Sequence, residues 1–159
     1  EMGKVRTGAL IVIEQSMSLA EYERTGIAVD GIVSSQLLIN IFEHNTPLHD
    51  GAVIIRGDRV TSATCYLPLS DNRELSKELG TRHRAGVGIS ELTDSMTVII
   101  SEESGKVSVA YKGELYRGLD QEVLKSKLTM IQNKSNDDSA KRKLWKGRGK
   151  VELKEEANK

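Results

Sequence analysis

Ala52-Val53-Ile54-Ile55-Arg56-Gly57-Asp58-Arg59-Val60-Thr61-Ser62-Ala63-Thr64-Cys65-Tyr66-Leu67 holds two runs rich in β-branched residues on either side of a short break. Two strand-like runs flank a Gly57-Asp58 turn, the pattern of an antiparallel hairpin. Upstream, Gly8-Ala9-Leu10-Ile11-Val12-Ile13-Glu14 is short, apolar and β-branched, which suits a core strand buried on both faces. A polar segment around Glu21-Tyr22-Glu23-Arg24 follows. Ser34 then stands where it can cap a helix whose Leu37, Leu38, Ile39, Ile41 and Phe42 pack inward, ending near Glu43 to Asn45 before Pro47.

Downstream of the hairpin, a charged segment from Asp71 to Leu79 leads into Gly80-Thr81 and a predicted helix from Arg82 to about Glu91. Met96 to Ile100 and Val107 to Tyr111 predict a second hairpin across Glu103-Ser104-Gly105. Asp120 is placed to cap a last helix carrying Val123, Leu124, Leu128 and Ile131 at helical spacing. The expected architecture is one mixed α/β domain over residues 1–133, a central, mostly antiparallel sheet flanked by helices. Residues 134–159 turn to Lys, Ser, Asn, Asp, Arg and Glu and predict a polar, mobile tail, with Trp145 marking either solvated chain or a docking segment.

Composition bounds the function. A chain of 159 residues fits one domain with a real core. Twenty-three basic and 23 acidic residues cancel, which argues against a general grip on nucleic acid and leaves phosphate chemistry to a local cluster of cations. The lone Cys65 has no second thiol to pair with and reads as a buried small hydrophobe. No run approaches the roughly 20 apolar residues of a spanning helix, and the first residues lack a signal-peptide core, so the expectation is a cytoplasmic domain. Glu1 before Met2 suggests a segment of a longer parent.

Two segments break local preference. In Leu48-His49-Asp50-Gly51-Ala52 an imidazole and a carboxylate precede a residue without a side chain at the mouth of a buried strand. Backbone can approach a ligand there while His49 and Asp50 supply metal or proton contacts, although a plain turn with Asp50 bonding its own backbone has the same composition. In Gly80-Thr81-Arg82-His83-Arg84-Ala85-Gly86, three basic or titratable groups crowd the first turn of a helix, with Thr81 as its expected cap. The macrodipole disfavours each positive charge there by a few tenths to ~1 kcal/mol. A bound phosphate chain offsets that cost; pairing with Glu74 or Glu78 is the alternative. Ala85, Gly86 and Gly88 suit close packing of the same helix.

Weaker candidates stand at strand ends. Ser101-Glu102-Glu103 ends a predicted strand, where a carboxylate can hold a divalent ion. Tyr66-Leu67-Pro68 offers an aromatic face and backbone groups to a nucleobase, or Tyr66 is plain core. His44 has no partner in sequence and reads as a helix-end residue.

Asp50-Gly51-Ala52 followed some thirty residues later by Arg82-His83-Arg84 resembles the paired motifs of the diadenylate cyclase domain. The likeness runs from about Gly8 to Tyr111, through Thr46 to Val53 and Ala63 to Leu69, and is strongest to the membrane-anchored class of Gram-positive bacteria. Gly86 stands where that family usually has a second alanine.

The resemblance implies condensation of two ATP into cyclic di-AMP with release of two pyrophosphates across a face-to-face homodimer. It also implies dependence on Mn²⁺ or Mg²⁺, with Co²⁺ a third candidate, and a parent anchored in the membrane by N-terminal helices. Asp50, Gly51, Ala52, Arg82, His83 and Arg84 are then catalytic; Asp50 activates the 3′-hydroxyl or holds the metal, with His49 and Glu103 as further metal candidates. Thr81 to Arg84 bind the triphosphate, Tyr66 and Leu67 hold adenine, and Leu48, Ser101 and Glu102 complete the ATP set. A membrane regulator and a phosphoglucosamine mutase are the partners implied. The competing expectation is a catalytically silent module that senses ATP or a cyclic dinucleotide.

Overall fold

The computed structural model describes residues 1–134. The chain divides into two compact units, Glu1–Asp120 and Gln121–Lys159; the described part of the second is a helix over residues 121–134, directly after Asp120 as expected. The tail expected from residue 134 onward lies outside the described residues but for Lys134, which still belongs to that helix.

In the first unit the elements run β1 (Ala9–Ile13), α1 (Ala20–Glu23), β2 (Ile27–Ile32), α2 (Ser35–Phe42), β3 (Ala52–Arg56), β4 (Arg59–Cys65), α3 (Thr81–Leu92), β5 (Met96–Ile100), β6 (Val107–Tyr111) and β7 (Glu114–Tyr116). The strands form one sheet in the order β2-β4-β3-β1-β5-β6-β7. Only β1 and β3 pair in parallel, so the sheet is mostly antiparallel, as the sequence predicts.

Both expected hairpins form. β3 folds onto β4 across Gly57-Asp58, and β5 onto β6 with Val98 opposite Val109. β1 lies between them, and Leu10, Val12, Ile54 and Ile99 are buried with Val87 and Ile89 of α3 in one core cluster. Burial on both faces explains the unbroken apolar runs.

Four local expectations need correction. The polar segment at residues 21–24 contains the short helix α1, and Ile27–Ile32 after it is an edge strand. Its pairing slips between Ala28 and Gly31 with Asp30 at φ 49°, so Asp30-Gly31 is a bulge inside the strand. Glu114–Tyr116 adds the opposite edge, β7, too short for a periodicity to register. In α2, Ser34 caps as expected by accepting from the Leu37 N–H at 3.1 Å, but only Ile41 and Phe42 are buried; Leu37, Leu38 and Ile39 are half-exposed. Finally, Gly80 occupies the cap position of α3 and makes no side-chain cap bond; Thr81 is the first helical residue.

The small residues of α3 do what their sizes suggest. Ala85 through Ser90 are all buried. A methyl on Gly86 would press on Ile99 and Thr97, and one on Gly88 would overlap the Pro68 carbonyl and crowd the Ser70 N–H. Gly88→Ala gains up to ~1 kcal/mol of helix propensity. Backbone overlap outweighs it, and a net loss of about 1–3 kcal/mol is expected as a lower urea midpoint.

Candidate active site

The pairing directions bring one end of every central strand together. Because β3 runs with β1, while β4, β5 and β7 run against their neighbours, the starts of β1, β3 and β6 lie beside the ends of β4, β5 and β7. A cavity of about 980 Å³ opens there. That is at the upper end of the roughly 300–1,000 Å³ usual for small-molecule sites.

Asp50 and Gly51 form one wall. Gly51 has φ 103°, a conformation that side chains resist, and a Cβ there would lie 2.8 Å from the Thr64 carbonyl carbon. Thr64 itself, a β-branched residue at φ 56°, sits where the β3–β4 register slips. Two strained positions back to back on a cavity wall show that the fold holds this turn against local preference. Asp50 is exposed at its tip.

The next wall is the start of α3. Gly80, Thr81, Arg82 and His83, whose N–H groups have no partner within a helix, all line the cavity, and no acidic residue stands in the first turn. The N-terminus is thus open to an anion. Arg82 does not pair with Glu74 or Glu78; its Nη1 donates to Glu102 Oε2 at 2.8 Å, joining two of the segments singled out in the sequence. Gly8 makes that possible, since a Cβ there would come within 2.8 Å of the same Nη1.

Burial, and then the charge of Arg117, push the His83 imidazole below its ordinary value of 6.5. The folded state therefore favours neutral His83. Its contribution to stability is complete above pH 6.5 and is lost as pH falls below that value. An NMR titration is expected to place the His83 midpoint below 6.5, and Arg117→Ala to move it upward.

Tyr66 is 77% exposed and lines the cavity beside Leu67, so it is not core. Its N–H donates to Thr25 Oγ1 at 2.8 Å, and that hydroxyl donates to the Tyr22 carbonyl at 2.6 Å, which fixes the segment against the end of α1. Ser101, Glu102 and Glu103 line the far side, from the end of β5. Cys65 is 2% exposed, its thiol pushed up to about 11 by burial and then by Glu23, as suits an inert core residue.

Several expected residues lie off this wall. Leu48, Ala52 and Arg84 do not line the cavity; Ala52 is fully buried, and the Arg84 carbonyl accepts from the Ser70 N–H at 2.9 Å. His49 does not line it either. Its Nδ1 donates to the Thr46 carbonyl at 2.6 Å, and its ring stands edge-on to His44. Thr25, Lys106 and Arg117 line the cavity without having been singled out by sequence. The acids Asp50, Glu78, Glu102 and Glu103 outnumber the cations Arg82, Lys106 and Arg117 by one. Among the described residues no three His, Cys, Asp or Glu side chains are grouped to hold a metal by themselves.

An α/β domain with an open helix N-terminus, an exposed aromatic and carboxylates around one cavity is a nucleotide-binding domain in design. The DisA bacterial checkpoint controller nucleotide-binding family matches residues 1–115. The chain belongs to this family, the diadenylate cyclase (DAC) domain. It is 53% identical over 148 residues to the cyclic di-AMP synthase CdaA of Bacillus subtilis, covering 92% of this chain and 54% of that protein. It is 51% identical over 156 residues to a diadenylate cyclase of Listeria monocytogenes, covering 95% and 55%. A crystal structure of a double-cysteine variant of DacA from Staphylococcus aureus superposes with a TM-score of 0.81 at 52% identity, covering 82% of this chain and 87% of that one. The chain spans about half the length of the curated relatives it matches. Among the described residues no helix is long and apolar enough to cross a membrane.

Proposed function

We propose that this chain is the catalytic domain of a diadenylate cyclase, condensing two ATP into cyclic di-AMP with release of two pyrophosphates. The observation that carries this reading is the meeting of the Asp50-Gly51 turn, the open start of α3 and the Tyr66-Leu67 segment around one cavity. In each half-reaction a 3′-oxygen attacks an α-phosphorus in line, the bond to the pyrophosphate oxygen breaks, and the 3′-proton leaves. Positioning and electrostatics supply most of the rate in such a transfer.

The roles are those that the family resemblance implies for residues lining the cavity. Tyr66 stacks on adenine and the Leu67 backbone meets its edge. Asp50 lies beside the ribose, where it accepts the 3′-proton or holds an ion, and Gly51 lets the backbone approach the α-phosphate. Thr81, Arg82 and the free N–H groups of α3 bind the phosphate chain, with Ser101 beside them and His83 neutral at pH 7.

The donor set suits a divalent cation such as Mn²⁺ or Mg²⁺. Asp50, Glu102 and Glu103 are hard oxygen donors, and hard cations at phosphoryl-transfer sites commonly use one or two carboxylates plus substrate phosphates. When bound, such an ion neutralises phosphate charge that this acid-rich cavity otherwise repels.

The cavity offers one open helix start for one triphosphate, and each ATP must meet the 3′-hydroxyl of another. Two copies of the chain are therefore proposed to face each other, in a parent anchored in the membrane and open to a membrane regulator and a phosphoglucosamine mutase. Pyrophosphate release from ATP with Mn²⁺ is the test. One pyrophosphate per ATP, with specific activity rising with protein concentration, is expected; ATP binding without release would leave the silent sensor instead.

A further inference from the structure

The cations that sequence singles out contribute little free charge to the cavity. Arg82 is already paired with Glu102, Arg84 does not line the wall, and His83 is neutral near pH 7. The remaining cations on the wall are Lys106 and Arg117, and neither enters any of the ion pairs found among the described residues.

Both are held at the same end of neighbouring strands. Lys106 immediately precedes β6, its N–H donating to Ser104 Oγ at 3.3 Å and its carbonyl accepting from the Ser101 N–H at 3.0 Å. Arg117 immediately follows β7, and the Leu119 N–H donates to the Val107 carbonyl at 2.9 Å just beyond it. The sheet order makes their position informative. Three inter-strand steps separate β3, which carries the Asp50 turn, from β6, or roughly 14 Å at about 4.8 Å per step. Arg82 lies between, over the start of β1 and beside Glu102 at the end of β5.

We infer that Lys106 and Arg117 form a second cationic wall that receives the terminal phosphates of the nucleotide and holds the pyrophosphate as it leaves. This rests on the ATP reading above. The nucleoside lies over β3 and β4, the middle of the phosphate chain meets Arg82 and the start of α3, and its far end reaches β6 and β7.

Calorimetry with 3′-deoxy-ATP and 3′-deoxy-AMP, which lack the attacking hydroxyl, tests the wall without turnover. Lys106→Ala and Arg117→Ala are each expected to weaken 3′-deoxy-ATP roughly tenfold, as loss of one charge-assisted contact does, and to leave 3′-deoxy-AMP unchanged. Arg117→Lys should retain most of the affinity. Equal weakening of both ligands, or unchanged 3′-deoxy-ATP binding in both variants, would overturn the inference. Wild-type turnover of ATP is followed in parallel. A wild type that binds 3′-deoxy-ATP but yields no cyclic product sinks the cyclase reading, while the contrast between the two ligands still decides the phosphate wall.

Discussion

Asp50→Asn is expected to lower formation of cyclic di-AMP at least about a hundredfold while leaving the fold and ATP binding nearly intact, within the usual range for loss of a general base. The side chain is exposed at the tip of the turn before β3, so the replacement removes no packing. Asparagine has the same shape and suits turns equally well, so the Gly51 conformation survives. What disappears is the carboxylate's ability to take a proton or hold a cation. Its charge also disappears, from a cavity where acids outnumber cations by one, so a triphosphate should bind no worse. Labelled-ATP turnover together with calorimetry separates these effects. Product formation within a few-fold of wild type would remove Asp50 from the chemistry.

Gly51→Ala is expected to damage stability and activity together, by about 2–4 kcal/mol in urea unfolding and nearly all turnover. The backbone at φ 103° resists a side chain in any surroundings. Here the surroundings close as well. The new methyl would stand 2.8 Å from the Thr64 carbonyl carbon, 2.9 Å from its Cα and 3.1 Å from the Cys65 carbonyl oxygen. All three are backbone atoms of β4, which can yield only by moving the strand. Thr64 is already at φ 56°, so the ladder has little room left to give. Tyr66 and Leu67 follow directly on that strand, and displacement would reach the proposed adenine wall too. A variant of wild-type stability and rate would mean that the turn is not held as described.

What could be read from the sequence depended on range. Ser34 announces α2 because a cap is local chemistry, and the two hairpins announce themselves because turn and flanking runs are contiguous. β2 and β7 escaped because an edge strand needs no continuous apolar run, and β2 carries a bulge at Asp30-Gly31. The same holds for the site. Asp50, Gly51 and the start of α3 are legible because each breaks a local rule within a few residues. Lys106, Arg117 and Thr25 break none; they reach the cavity only through the ladder and the fold around it, which no short window contains. Gly8 is of the same kind, its lack of a side chain explained only by the Arg82–Glu102 pair that passes over it.

The pairing of Arg82 with Glu102 also sharpens the electrostatic argument. A crowded basic helix start does suggest an anion, but part of its charge is matched by a strand-end carboxylate from the same site. The anion-binding capacity then rests on the open N–H groups of α3, on cations from β6 and β7, and on a divalent ion arriving with the nucleotide.

Chromatography of the products after incubation of the chain with ATP and Mn²⁺ decides whether this domain is a cyclase. Cyclic di-AMP with two pyrophosphates for each molecule formed is the expected result. ATP recovered unchanged from protein that demonstrably binds it, or converted only to ADP or AMP, would contradict it.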